Sequence, residues 1–295
     1  ENGRLTVEGQ IVTTGSSGNI RLDARNAGRE GSLAINANLI SSLGHITLLA
    51  DDQVVINGIR QINALADLTG IEVQAGGDIL MSADTRLNAV NGNQRLSAGG
   101  NILLGRLSAG TGSVSVQSGG WVRDAIVSGP VNVTAAAVRL DAGTGIGQAA
   151  TPVRTLVNTL AARAASGGLF LTQDADLAIG TVSAVGIQRV LEDGTLAFFD
   201  GADADLSGLL AENNGHLVLV TETDLVLDQA IAATGSGNIR IESRSGDLTL
   251  NAALDAGTGH ITLLAAGTLT QNATVQTGGA GTLDVEANTI TMLAG

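Results

Sequence analysis

Gly215-His216-Leu217-Val218-Leu219 opens a phrase that returns as Gly237-Asn238-Ile239-Arg240-Ile241, Gly259-His260-Ile261-Thr262-Leu263 and Gly281-Thr282-Leu283-Asp284-Val285, each copy 22 residues after the last. A fixed period of this length marks a stack of similar units, none of which can bury its apolar face alone. Within a copy, apolar and mixed positions alternate, the signature of a strand with one buried face. Leu217, Leu219, Ile239, Ile241, Ile261, Leu263, Leu283 and Val285 are therefore expected to point inward as core ladders. Val218, Arg240, Thr262 and Asp284, between them, are expected to point outward.

A second strand follows in each copy, at Leu225-Val226-Leu227, Leu248-Thr249-Leu250, Leu269-Thr270-Gln271 and Ile290-Thr291-Met292, and a third apolar point appears at Ile231, Leu254 and Val275. Two to three short strands in 22 residues are too tight for a repeating sandwich hairpin and suit one coil of a parallel β-helix. The fold expected is all-β, a parallel β-helical solenoid with coils of about 22 residues. Each buried Leu, Ile or Val contributes about 1.5–3 kcal/mol, against a backbone ordering cost of about 1–2 kcal/mol per residue. A single coil cannot close that balance, so stability must be cooperative along the stack. At a spacing of about 4.8 Å, roughly 13 coils would make a rod roughly 60 Å long.

The N-terminal half follows the same grammar more loosely. Gly18-Asn19-Ile20-Arg21-Leu22 matches Gly237 to Ile241, and Gly44 to Ala50 matches Gly259 to Ala265, which points to a longer repeat nested on the short one. Residues 1–295 are expected to form one continuous β-helical segment, and the chain ends, Glu1-Asn2-Gly3 and Met292-Leu293-Ala294-Gly295, read as cuts in a longer polypeptide. Two stretches break the pattern and are expected to be irregular insertions or distorted coils. In 148–167, Leu156 and Leu160 have helical spacing while Val153, Thr155 and Val157 alternate like a strand, and a distorted coil is preferred. In 191–214, Phe198-Phe199 and three aspartates mark an excursion from the stack.

The composition agrees with a narrow interior of aliphatic rows: 41 Gly, 3 Phe, 1 Trp, no Tyr and no Cys in 295 residues. Without cysteine there is neither a disulfide framework nor a thiolate metal site. All 15 basic residues are Arg and the net charge is −13, which argues against nucleic acid and against anionic membrane surfaces. No uninterrupted apolar run of about 18 residues exists to span a bilayer.

His45, His216 and His260 each follow the glycine that opens a copy, so they occupy equivalent corners on different coils and cannot share a metal or a reaction. Asp200, Asp203 and Asp205 are the calcium candidates, because calcium seeks six to eight oxygens. Their spacing matches no EF-hand loop, and solvated turn acids are the preferred reading. Trp121, at a Gly-Gly-Trp corner, is the candidate glycan contact, and Phe170 in Leu169-Phe170-Leu171 belongs to a strand. Asn132-Val133-Thr134 and Asn272-Ala273-Thr274 match the N-glycosylation rule but lie in coil-like sequence. Glycan-cleaving enzymes use paired carboxylates in a cleft, usually beside aromatic platforms; with few aromatics and few long loops, no enzyme and no cofactor are expected.

The Gly-x-Ile/Leu-x-Leu phrases resemble those of the filamentous haemagglutinin-type exoproteins of Gram-negative bacteria, the giant adhesins of the two-partner secretion route. The resemblance covers nearly the whole chain and is one of pattern, with a 22-residue spacing slightly longer than that family's most regular coils. It implies a right-handed β-helical shaft, secreted or held at the cell surface, that serves adhesion, biofilm or cell contact. The implied partners are a receptor or glycan of a host or neighbouring cell, and further copies through end-to-end or lateral contact; neither nucleic acid nor membrane insertion of this segment is expected. The alternative is a self-assembling extracellular filament or sheath subunit, with a carbohydrate-active β-helix enzyme as the third reading.

Overall fold

A computed structural model describes residues 3–15, 17–25, 31–201 and 203–292. Every regular element among them is a β-strand, and nearly all pair in parallel, winding into a solenoid of about 12 turns with coils about 23 residues apart. The N-terminal coils explain the excess over 22. Ile20, Ile46, Ile71, Gln94 and Val114 stand in one register row, so successive coils there span 26, 25, 23 and 20 residues. Leu217, Ile239, Ile261 and Leu283 keep a constant 22. Corner loops absorb the difference, which leaves the strands in register.

The chain divides into two compact units, Glu1–Ala136 with Ala184–Ala204, and Ala137–Ser183 with Asp205–Gly295. In the first unit each coil carries three strands and therefore three parallel ladders. The coil Val54–Ile56, Gln61–Ala64, Ile71–Ala75 is typical, and the next, Ile79–Met81, Arg86–Ala89, Gln94–Ala98, pairs with it strand for strand. Leu33, Val54, Ile79, Ile102 and Val122 form one inward row, and none of the five has measurable exposure. Parallel pairing on both sides satisfies the backbone donors and acceptors of an interior coil, so the rows add apolar burial to a closed hydrogen-bond ladder.

In the second unit Leu169, Leu217, Ile239 and Ile261 form one buried row and Leu171, Leu219, Ile241 and Leu263 the next. Leu283 and Val285 continue both rows in register. Their burial departs from the sequence expectation: Leu283 is 46% exposed and Val285 only half-buried. Among the described residues Leu283–Met292 pairs with Ile261–Gln271 alone, and no described coil covers its other side.

Neither pattern break is helical. Val153–Ala164 is one 12-residue strand that pairs in turn with Gly168–Gln173, Leu177–Ile179 and Leu209–Ala211, serving three faces of its coil. Leu156 is 39% exposed while Leu160 is buried, so the helical spacing of that pair defines no common face. The second break begins earlier and ends sooner than 191–214. Thr181–Val182 and Leu206–Ser207 pair antiparallel at its neck, Ile187–Val190 and Leu196–Phe199 form an antiparallel hairpin, and Leu209–Ala211 is already back in the ladder.

Candidate functional site

The alternation of a strand sends every second side chain outward, and on Ile46–Ala50, Ile71–Ala75, Gln94–Ala98 and Ser113–Ser118 the outward row is Thr47, Glu72, Arg95 and Ser115. All four are nonetheless buried, Thr47, Glu72 and Ser115 completely, as is Leu49 in the adjoining outward position. The excursion of the same unit lies on this face. Val190 N–H donates to Thr47 Oγ1 at 3.0 Å, and Arg21 Nη1 donates to the Val190 carbonyl at 2.6 Å. At the rim Asn93 Nδ2 reaches the Gly186 carbonyl at 2.7 Å, and Asn19 Nδ2 the Gly194 carbonyl at 3.0 Å.

Two ion pairs lock the hairpin. Arg189 grips Glu72 with both Nε and Nη2, the former at 2.7 Å, and Nη2 also reaches Gln74 Oε1 at 2.7 Å. Arg95, pointing out of the sheet, meets Asp203 at 3.0 Å, with both side chains almost fully buried. The Phe199 ring joins the pairs, its centroid 3.5 Å from the Arg189 guanidinium carbon and 5.3 Å from that of Arg95, within cation–π range. Gly201, at φ +70, carries the chain past Arg95, where a Cβ would stand 1.9 Å from Nη2. Buried ion pairs add little net stability but fix one arrangement where the charges match. Here the alternating row Glu72–Arg95 meets Arg189 and Asp203 in complementary order, which sets where the hairpin sits.

The sequence candidates fall in separate places. Asp203 is engaged by Arg95, whereas Asp205 is exposed and belongs to the second unit. Among the described residues no three His, Asp or Glu side chains are grouped to hold a metal ion. Trp121 is half-buried and the Arg123 guanidinium carbon lies 4.5 Å from its ring centroid, occupying one face of the indole. Asn132 has no exposure and its Nδ2 donates to Asp124 Oδ1 at 2.6 Å, which removes it as a glycan acceptor; Asn272 is exposed.

The histidines link coils. His45 Nδ1 accepts the Gly70 N–H at 2.9 Å, His216 Nδ1 the Asn238 N–H at 3.1 Å, and His260 Nδ1 the Thr282 N–H at 3.2 Å. Asparagines at the same corner do likewise: Asn19 Oδ1 accepts the His45 N–H at 3.0 Å and Asn238 Oδ1 that of His260 at 2.9 Å. The residue after each corner glycine thus accepts the equivalent amide of the following coil. The signal in the sequence is the recurrence of Asn or His in that position. Asn238→Ala is expected to cost about 1 kcal/mol, a fall of ~2–4 °C in melting temperature, and Asn238→Asp, which keeps the acceptor, to cost less in the same calorimetric scan.

Burial pushes the His45 imidazole below its ordinary 6.5, and protonation of Nδ1 would also forfeit the bond to Gly70. The unfolded chain therefore binds the proton more readily, and the His45 contribution, fully present above about 6.5, is lost as pH falls below that value. Denaturant melts from pH 7.5 to 5 should show a shallower loss for His45→Gln than for the parent chain. Equal slopes would assign the acid sensitivity elsewhere.

Comparison with family models, with curated proteins and with solved structures gives no match.

Proposed function

We propose that this chain is a length of structural shaft in a large secreted or cell-surface bacterial fibre, of filamentous haemagglutinin type, serving adhesion, biofilm or cell contact. The observation that carries the reading is the hairpin lock. The hairpin Ile187–Val190 and Leu196–Phe199, which on a catalytic solenoid would be free to wall a cleft, lies on the outer row and is held by Glu72 and Thr47, with Asp203 beyond it held by Arg95. The coils beneath it are filled by aliphatic rows without exposure. Such a stack resists bending and proteolysis because every interior coil is hydrogen-bonded on both sides. Its task in this reading is mechanical: to project another part of its polypeptide from the surface of a Gram-negative-type cell.

Electron microscopy of the intact parent polypeptide in its native setting tests this. Separate surface-attached rods labelled by an antibody to this chain are expected. A repeating helical lattice would replace the shaft with a self-assembling filament or sheath subunit, and labelling confined to the cell interior would overturn both.

A further inference from the structure

The outer face of a different ladder in the first unit carries a cleft of about 380 Å³. Its floor is built from two outward rows in register. One is Gln61, Arg86 and Arg106 on Gln61–Ala64, Arg86–Ala89 and Arg106–Ser108. The other runs through Asn63, Asn88 and Ser108 on the same strands. Pro130 and Val131 stand at the end of the cleft, on a loop in which Val127 holds φ 60. That value is a genuine outlier for a β-branched residue.

The two arginines are the anomaly. They sit on adjacent strands about 4.8 Å apart, where like charges oppose one another. Among the described residues neither guanidinium has a carboxylate, hydrogen-bond or ring partner. Several other arginines are paired with acids, as at Arg95–Asp203, Arg189–Glu72, Arg240–Glu242 and Arg244–Glu222. In a protein of net charge −13 this leaves a local cationic pair without an answering charge.

We infer that Arg86 and Arg106 are the acid-reading groups of a binding cleft for a carboxylate-bearing oligosaccharide. Oxyanions placed over the pair would remove the like-charge opposition and take charge-assisted bonds from the two guanidinium groups. The neighbouring row offers an amide, an amide and a hydroxyl at coil spacing, a regular series of groups that suits the hydroxyls of successive sugar rings. A peptide strand is disfavoured: the backbone amides of the floor are used in the ladder, so no strand can add to it. A nucleic acid, with a phosphate at every nucleotide, needs many more cations than the two arginines here, whereas a short oligosaccharide with a few carboxylates matches them in number. This inference does not depend on the shaft reading, since a glycan-reading face can sit on a shaft or on a lattice.

Isothermal titration of the whole chain with trigalacturonate, trimannuronate and triguluronate, with their methyl esters, and with sodium acetate tests it. At least one free acid should bind, its ester much more weakly, and acetate without saturation in the same range. Arg86→Gln and Arg106→Gln should each lower that affinity about tenfold, while Arg240→Gln, on another strand, leaves it unchanged. Arg86 is exposed, so Arg86→Gln carries the test even if the half-buried Arg106 proves sensitive in folding. Failure of all three acids to bind, equal binding of acid and ester, acetate binding as tight as the trisaccharides, or indifference to Arg86→Gln would each overturn the inference.

Discussion

Leu263→Asp should destroy the cooperative melting of the second unit, while Thr262→Asp leaves it nearly intact. Leu263 is 1% exposed in the row between Ile241 and Val285. Truncating a buried leucine costs about 2–5 kcal/mol by loss of packing, and an unpaired carboxylate in the same place adds several kcal/mol more. The sum reaches the whole stability of an ordinary domain, about 5–15 kcal/mol. In a stack whose coils touch only their neighbours, the damage should centre on the flanking coils. Hydrogen exchange should therefore lose protection first in Ile239–Ser243 and Ile261–Gln271 and last in Gly168–Gln173. Thr262 is a half-buried outward position flanked by Arg240 and Asp284. A new aspartate there gains one charge neighbour and opposes another, so its effect should stay within about 0.5 kcal/mol. Equal damage from the two substitutions would reverse the inward and outward assignment on which the fold rests.

Arg189→Ala should release the hairpin without melting the coils beneath it. Glu72 has no exposure and Arg189 is its cation; removing one partner of a buried pair costs about 3–5 kcal/mol. The ladder can avoid that cost by letting the hairpin lift and water reach Glu72. The expected result is rapid exchange of the Val190 amide, now bound to Thr47, and new proteolytic cuts within 187–199. The core rows, by contrast, should keep their protection. Glu72→Leu combined with Arg189→Leu removes both charges and should restore much of the lost stability, since apolar replacement of a buried pair is often neutral or better. If the Val190 amide remains protected in Arg189→Ala, the ion pair is not what holds the hairpin.

The ladders were legible because two regularities coincide in the sequence. The 22-residue period places the strands, and the alternation within each places the faces, so that Leu217, Leu219, Ile239, Ile241, Ile261 and Leu263 are all buried. Leu283 and Val285 obey the same pattern yet are not sealed, because burial in a solenoid belongs to the pair of neighbouring coils rather than to the residue. Val153–Ala164 was ambiguous for a different reason: its apolar spacing satisfies two periods at once, and only the pairing with three other strands selects the extended form. The excursion was visible as an interruption, but its destination was not. Arg189 and Glu72 are 117 residues apart, Val190 and Thr47 143, and nothing local connects them. One trace existed, in Leu49 and the charged pair Glu72–Arg95 on what should have been a solvent face. The corner links were equally faint, because a histidine or asparagine after glycine reads as an ordinary turn until the next coil is laid on it.

The central claim, a parallel stack of coils with a hairpin fastened to its outer row, is most directly tested by electron cryo-microscopy at a resolution that separates strands. The predicted map shows strands spaced about 4.8 Å apart along each unit, with Leu217, Ile239 and Ile261 superposed in one inward row. It also shows density for Ile187–Val190 and Leu196–Phe199 lying over Thr47 and Glu72. Antiparallel pairing between those rows, or an empty outer face at Glu72, would contradict it.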